Sequence, residues 1–271
     1  MIIVNYQGRL GNNLIQYIFG RILANKLDCG LKANSIKGFP NCIEIKNDND
    51  DNNNKHYVLM KHKVNIIDVL NLRNNNFILK GFFQRYEYYK KYKEIIKNDW
   101  LYCSVKPKYI INDNDIAVNI RVGDTVKNND INFYMTKNHC ACPYFYFDNI
   151  LSQRKWNKVW IITENPKEPR VKKLKEKYSA NVISNSVIED YALLKSFKHI
   201  IISQSTFSWL AAWLSDAIEI HFPLIGDWHP ETPRGDEINL WVDEDRYTYH
   251  DLNTNNIYKF NELENLRKKP T

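Results

Sequence analysis

The chain has 271 residues, 44% of them hydrophobic and 13% aromatic, enough for two modest hydrophobic cores, and a formal net charge of +7. The positive balance suits an anionic ligand, but much of it lies in the Lys-rich run 167–178, KEPRVKKLKEKY, which reads as the solvated face of a helix. No basic stripe interleaved with aromatics follows a nucleic-acid-reading module, so no nucleic-acid partner is expected, and such a reading rests on charge alone.

Met1 to Tyr6 reads as a buried strand, entered without a charged leader or an apolar signal segment. No apolar run approaches membrane-spanning length. Both features predict a soluble, cytoplasmic chain without an integral membrane segment. The loop Gln7-Gly8-Arg9-Leu10-Gly11-Asn12-Asn13 then leads into a helix ending near Leu27, with Leu14, Ile15, Ile18, Phe19, Ile22 and Leu23 recurring on one face and Gly20 leaving room for close packing. A strand, a glycine-bearing loop and a helix N-terminus in succession favour approach of a ligand or an anion. The glycine spacing is not the dinucleotide fingerprint, so NAD is not implied.

Residues 46–55, KNDNDDNNNK, read as a solvated loop. Strands are predicted at His56–Met60 and Phe77–Gly81. After them, the spacing of Tyr86, Tyr89, Tyr92 and Ile96 predicts an amphipathic helix with an aromatic stripe turned to the core. Pro107 and the Asn/Asp cluster before Ile116 mark a domain boundary. Five cysteines, odd in number and unevenly spread, make no disulfide framework. The cluster His139-Cys140-Ala141-Cys142 lacks the paired spacings of a structural zinc site and reads as buried thiols.

Beyond the boundary, strands are predicted at Ile116–Ile120, Val159–Thr163, Val182–Ser184, His199–Ser203 and Ile218–Phe222, with helices between most of them, the alternation of a parallel α/β domain. Ligands of such domains gather at the carboxyl ends of the strands. Arg121, Gly123 and Asp124 follow the first of these strands, Thr163 and Glu164 the second, and Ser205 and Thr206 the fourth. A guanidinium, carboxylates and a pair of hydroxyls on one rim form the inventory that grips a nucleotide diphosphate. The rim's last member opens HIIISQSTFSWLAAWLSD, residues 199–216, which reads as strand, tight turn and fully buried helix. The first-turn amides of that helix lack internal partners and carry partial positive charge, and Ser205 and Thr206 add hydroxyl donors there. The alternative for one of those hydroxyls is an ordinary N-cap. For Arg121 and Asp124 it is a local ion pair, and for Asp190 a first-turn acid with no catalytic duty.

Four segments, in order, carry a resemblance. GRLGNNLIQYIFGRILA (8–24), GFFQRYEYY (81–89), VNIRVGDTV (118–126) and SQSTFSWLAAWLSD (203–216) are similar to landmark segments of the family 11 glycosyltransferases, the α1,2-fucosyltransferases. More loosely they resemble the wider GDP-fucose-dependent fucosyltransferases with the H-x-R-x-x-D type motif. The resemblance implies an α/β, GT-B-like enzyme of two Rossmann-like domains with parallel sheets facing across a cleft. Residues 1–112 would form an acceptor-side domain, 113–245 a donor-binding domain, and 246–271 a helical tail packing back.

It further implies an inverting transfer of fucose from GDP-fucose to a hydroxyl of a glycan acceptor, the 2-OH of galactose or a similar hexose, with no metal cofactor. Arg121 would contact the donor pyrophosphate, and Ser205, Thr206 and Phe207 would form a later donor-binding turn. Arg9, Gly11 and Asn12 would come from the N-terminal domain, near donor and acceptor. Asp124 is the first choice for general base and Glu164 a candidate for the donor ribose. Two positions depart from the motif: Asn119 stands where the family has His, and Val122 where it has a second basic residue. Another nucleotide sugar as donor, or binding without turnover, stays open as an alternative reading.

Overall fold

The computed structural model describes residues 1–47, 55–72, 76–122, 140–232 and 237–267. It divides into two compact units, Met1–Ser104 with Asp236–Leu240, and Val105–Gly235 with Trp241–Thr271.

The first unit is built on four strands, β1 (Ile2–Val4), β2 (Leu31–Lys32), β3 (His56–Leu59) and β4 (Asn76–Leu79), in the order β2-β1-β4-β3 and all parallel. Helix α1 (Leu10–Leu27) crosses from β1 to β2 and buries Leu14, Ile15, Ile18, Phe19, Ile22 and Leu23, the face its periodicity predicts. It lies so close to the sheet that a Cβ on Gly20 would sit 2.7 Å from Val4 Cγ2, which is why glycine occupies that turn. The short helix α2 (Ile66–Asn71) is capped by the Asn65 side chain, which accepts from the Ile67 amide at 3.1 Å.

The predicted aromatic helix after β4 is not one α-helix. Residues Tyr86–Tyr88 and Lys90–Tyr92 form 3-10 turns, followed by the single turn α3 (Lys93–Ile95) and a π-helical turn, Ile96–Trp100. Three-residue spacing of Tyr86, Tyr89 and Tyr92 fits three residues per turn better than 3.6. Tyr86 and Tyr89 are buried, as expected of a core stripe, and Tyr89 donates to the Phe83 carbonyl at 2.6 Å.

The second unit holds seven strands, β5 (Ile116–Ile120), β6 (Val159–Thr163), β7 (Asn181–Ile183), β8 (His199–Ile201), β9 (Glu219–Leu224), β10 (Tyr247–Asp251) and β11 (Ile257–Tyr258). Their order is β11-β10-β9-β8-β5-β6-β7, parallel throughout except for β11. The crossovers are α4 (Tyr144–Leu151), α5 (Pro169–Tyr178), α6 (Val187–Lys195) and α7 (Thr206–Trp213), and α8 (Phe260–Arg267) follows the last strand. Ile116, Val118, Ile120 and Val122 point to one face, where they form a core with Phe147 and Ile150 of α4 and Val171 and Leu174 of α5. Ala117 and Asn119 alternate to the other face. Helix α7 is buried from Ser208 to Trp213, and its two tryptophan rings stack at 5.3 Å.

The Lys-rich run forms α5 with its lysines exposed, but Arg170 within it is no surface charge. It is 3% exposed and donates to Glu168 at 2.5 Å and to the Cys142 carbonyl at 2.6 Å. Cys140 and Cys142 are buried free thiols, and burial pushes Cys142 up to about 12. No helix among the described residues is long and apolar enough to cross a membrane.

Candidate active site

In the second unit the ends of β5 and β8 are pinned together by one hydroxyl. Ser203 Oγ donates to the Asn119 carbonyl at 2.5 Å and accepts the Arg121 amide at 3.2 Å. The side chain before Arg121 on the same strand face, Asn119, donates from Nδ2 to the Ile162 carbonyl of β6 at 3.2 Å, while its Oδ1 is buried without a hydrogen bond. Val122 donates its amide to Glu164 Oε1 at 3.3 Å, which ties the residues after β5 to those after β6. Parallel strands of similar length bring these turns to one sheet edge, and the bonds fix their register.

Two residues beyond Ser203, Ser205 stands at the N-cap of α7 with extended backbone, yet its hydroxyl makes no cap bond to the first turn. The ordinary-cap alternative thus holds for its position and fails for its hydrogen bond. The helical ladder starts at the Trp209 amide, which donates to the Ser205 carbonyl at 2.9 Å, so the amides of Thr206, Phe207 and Ser208 precede it. Ser208 Oγ donates back to the carbonyls of Ser203 and Ser205 at 3.2 and 3.1 Å. Gln204 braces it from the other side: its Oε1 accepts the Cys140 amide at 2.6 Å and its Nε2 donates to the Ile225 carbonyl at 3.1 Å. Half-buried Phe207 meets Tyr191 edge-on at 5.8 Å.

Arg121, Asn119, Ser205, Thr206, Phe207 and Glu164 therefore all lie at the carboxyl ends of β5, β6 and β8. Asp124 lies outside the described residues. In the first unit Arg9 is the exposed N-cap residue of α1, Gly11 is buried in its first turn, and Asn12 Oδ1 accepts from Gln84 Nε2 at 3.0 Å. That bond joins the two motif segments 8–24 and 81–89. Gly8 turns the chain at φ +77°, and a Cβ there would meet Asn12 Nδ2 at 2.5 Å.

Ser203, Gln204 and Gln84 act as braces that the residue types alone did not single out; a polar residue inside or just past a predicted buried strand is the signal that would have found them. Asp190 is a further rim group. It is 8% exposed, accepts the Asn185 amide just past β7 at 3.1 Å, and burial raises its carboxyl above the ordinary range. Among the described residues no three His, Cys, Asp or Glu side chains converge as metal ligands would.

Two parallel sheets, of four and seven strands, with the polar turns gathered at the strand ends, make the α/β architecture of a GT-B-like, two-domain glycosyltransferase. The pattern of Glycosyl transferase family 11 matches residues 45–225, two thirds of the chain, and the chain belongs to that family. It is a galactoside 2-alpha-L-fucosyltransferase-like enzyme of a family that uses GDP-fucose as donor. No curated protein matches the chain as a relative.

Proposed function

We propose that the enzyme transfers L-fucose from GDP-fucose to the 2-hydroxyl of galactose, or of a similar hexose, at the end of a glycan, with inversion at the transferred carbon. The bond from fucose C1 to the phosphate oxygen breaks and a bond from C1 to the acceptor oxygen forms. The acceptor proton passes to a base, for which Asp124 is the candidate. Oxocarbenium character grows on the sugar while negative charge grows on the departing diphosphate, so fixed donors aimed at that charge lower the barrier. The observation that carries the reading is the Ser203 junction, which sets the Arg121 backbone beside the turn that opens α7.

In this reading Arg121 and the tip of α7 take the role a divalent cation plays in other transferases. Glu164 is a candidate for the ribose. Asp190 is a candidate for holding the guanine ring of the donor, since a carboxylate accepts from two adjacent N–H donors such as those on its edge. Arg9, Gly11 and Asn12 are proposed to serve the acceptor and the donor sugar from the first unit.

The direct test is Arg121→Ala. Loss of one such donor costs about 3–4 kcal/mol of barrier, a fall of roughly 10²–10³ in turnover, together with weaker GDP binding. A variant with unchanged transfer removes Arg121 from the site. Full activity after exhaustive chelation supports the metal-free mechanism, and activity that returns only with a divalent cation overturns it. A thermal-shift series with GDP, inosine diphosphate and UDP decides the base: stabilisation by GDP that Asp190→Ala abolishes supports the assignment, and equal stabilisation by all three sinks it.

A further inference from the structure

Away from the strand ends described above, the second unit carries a shallow concavity, open to solvent, between α4 and the loop after β10. Phe145, Asn149 and Gln153 lie along one side, at helical spacing, and His250, Asn255 and Asn256 along the other. Its chemistry is polar and holds no cation. No Lys or Arg lines it, and the carboxylate that does, Asp251, is engaged by its own loop: Oδ1 accepts the Asn253 and Thr254 amides at 2.8 and 3.3 Å, and Oδ2 the Thr254 hydroxyl at 2.7 Å. His250 is held neutral, because burial foremost, and then the neighbouring His221, push it down to about 3.

What remains is carboxamide and aromatic surface. Asn149, Gln153 and Asn255 make no side-chain hydrogen bond among the described residues, and Asn256 spends only one Nδ2 proton, on Tyr258 Oη at 3.1 Å. Each amide offers a donor and an acceptor to a ligand hydroxyl. The loop that presents them is fixed: Asn255 sits at φ +61°, its amide donates to the Asp251 carbonyl at 2.8 Å, and Asp251 donates to the Asn256 carbonyl at 2.9 Å. Phe145, 37% exposed, adds an apolar face at the rim. Amides in donor–acceptor pairs beside an aromatic ring, with one engaged carboxylate and no cation, fit a neutral polyol and disfavour a phosphate or a nucleotide.

We infer that this concavity is a saccharide-binding site distinct from the donor rim, and that it holds one neutral sugar unit of the acceptor glycan remote from the unit that receives fucose. The inference rests on the reading that the enzyme acts on a glycan. Most of the concavity is open to solvent, so it can cup one face of a single sugar ring and does not enclose a longer chain. Strand β10, which leads into one wall of the site, is three places from β5 in the sheet, about 14 Å away.

The test uses the whole enzyme and the double variant Asn149→Ala/Gln153→Ala, both exposed positions whose truncation leaves the core intact. For a tetrasaccharide acceptor KM is expected to rise about three- to tenfold, the loss of one or two hydrogen bonds. For a single methyl hexoside KM, kcat and GDP affinity stay at wild-type values. An equal rise for both acceptors, or none for either, overturns the site. A second measurement follows the side-chain amide resonances of Asn149, Gln153, Asn255 and Asn256 during titration with a neutral oligosaccharide. Shifts that the double variant abolishes, in an enzyme that transfers fucose to no acceptor, refute the transfer reading and uphold the site. Silent amides in an enzyme that transfers fucose do the reverse.

Discussion

Ser203→Ala tests the architecture of the proposed donor rim most directly. The side chain is 1% exposed, and its hydroxyl donates to the Asn119 carbonyl while accepting the Arg121 amide. Alanine removes both partners and brings no replacement. A buried group deprived of its bond costs about 1–3 kcal/mol, so two of them, partly relaxed, cost about 2–4 kcal/mol. At about 2–4 °C per kcal/mol for a unit of this size, the midpoint of thermal unfolding falls by roughly 5–12 °C. Turnover falls as well, since the peptide that carries the Arg121 guanidinium loses its anchor. The control is Ser208→Ala, which deletes an equally buried hydroxyl one turn away that donates to carbonyls and never touches Arg121. It should cost about 1 kcal/mol and leave kcat/KM near wild type. Calorimetry and transfer kinetics on both variants decide the matter. If Ser203→Ala matches its control in stability and in rate, the junction does not organise the rim.

Three further outcomes are expected. His250 is neutral in the folded chain down to about 3, against an ordinary value of 6.5, through burial first and then through His221, with Lys259 adding to the depression and Glu219 opposing it. Below 6.5 the unfolded chain takes up a proton the folded chain refuses, so stability is lost as pH falls from 6.5 towards 3. His250→Asn should flatten urea midpoints measured between pH 6.5 and 4.5, whereas an unchanged slope assigns the loss elsewhere. Gly8→Ala forces a left-handed backbone worth about 1–2 kcal/mol and drives a methyl against Asn12, so both stability and turnover should drop, and a fully active variant would detach Asn12 from the site. Val122→Arg, which restores the basic residue of the resembled motif, should destabilise by about 3–5 kcal/mol in chemical denaturation because it buries an unpaired cation; a soluble variant of wild-type stability would contradict the placement of Val122 in the core.

How much was legible in the sequence depended on whether periodicity carried the information. The α1 face, the alternating β5, the strand–turn–helix of 199–216 and Gly20 were readable because each follows from one local rule, and the structure has them where those rules put them. The aromatic run after β4 was misread because a three-residue repeat is compatible with both helix types, and only packing decided for 3-10 turns. Residues 226–271 gave no strand pattern, and 246–271 read only as a helical tail, since β10 and β11 are short and sit among Trp, Pro and acidic residues. Even so, β10 joins the sheet beside β9 in parallel register. At the rim, the residue types expected to meet a ligand were visible, but the braces were not. Ser203, Gln204 and Gln84 do their work across 82, 64 and 72 positions of sequence, and no local rule sees that far.

The two departures from the motif have unequal weight, and strand geometry says why. Side chains alternate along β5, so Ile116, Val118, Ile120 and Val122 face α4 and α5, while Asn119 and Arg121 face the opposite way. A basic residue at 122 would belong to the face that is core here, and valine there removes a charge without touching the surface that bears Arg121. The Val122 amide, which any residue supplies, still reaches Glu164. Asn119 is different, because it shares the Arg121 face and is nearly buried at 6% exposure. Its Nδ2 is committed to the Ile162 carbonyl, which leaves an acceptor, Oδ1, without a partner. An imidazole at that place would bring a switchable charge, whereas the amide brings a fixed acceptor that asks for a donor such as a ribose or fucose hydroxyl. In the proposed mechanism the cationic task at this edge falls on Arg121 and the helix tip, so the enzyme's transfer rate should be less sensitive to pH between 5 and 8 than that of a relative with histidine at the position of Asn119.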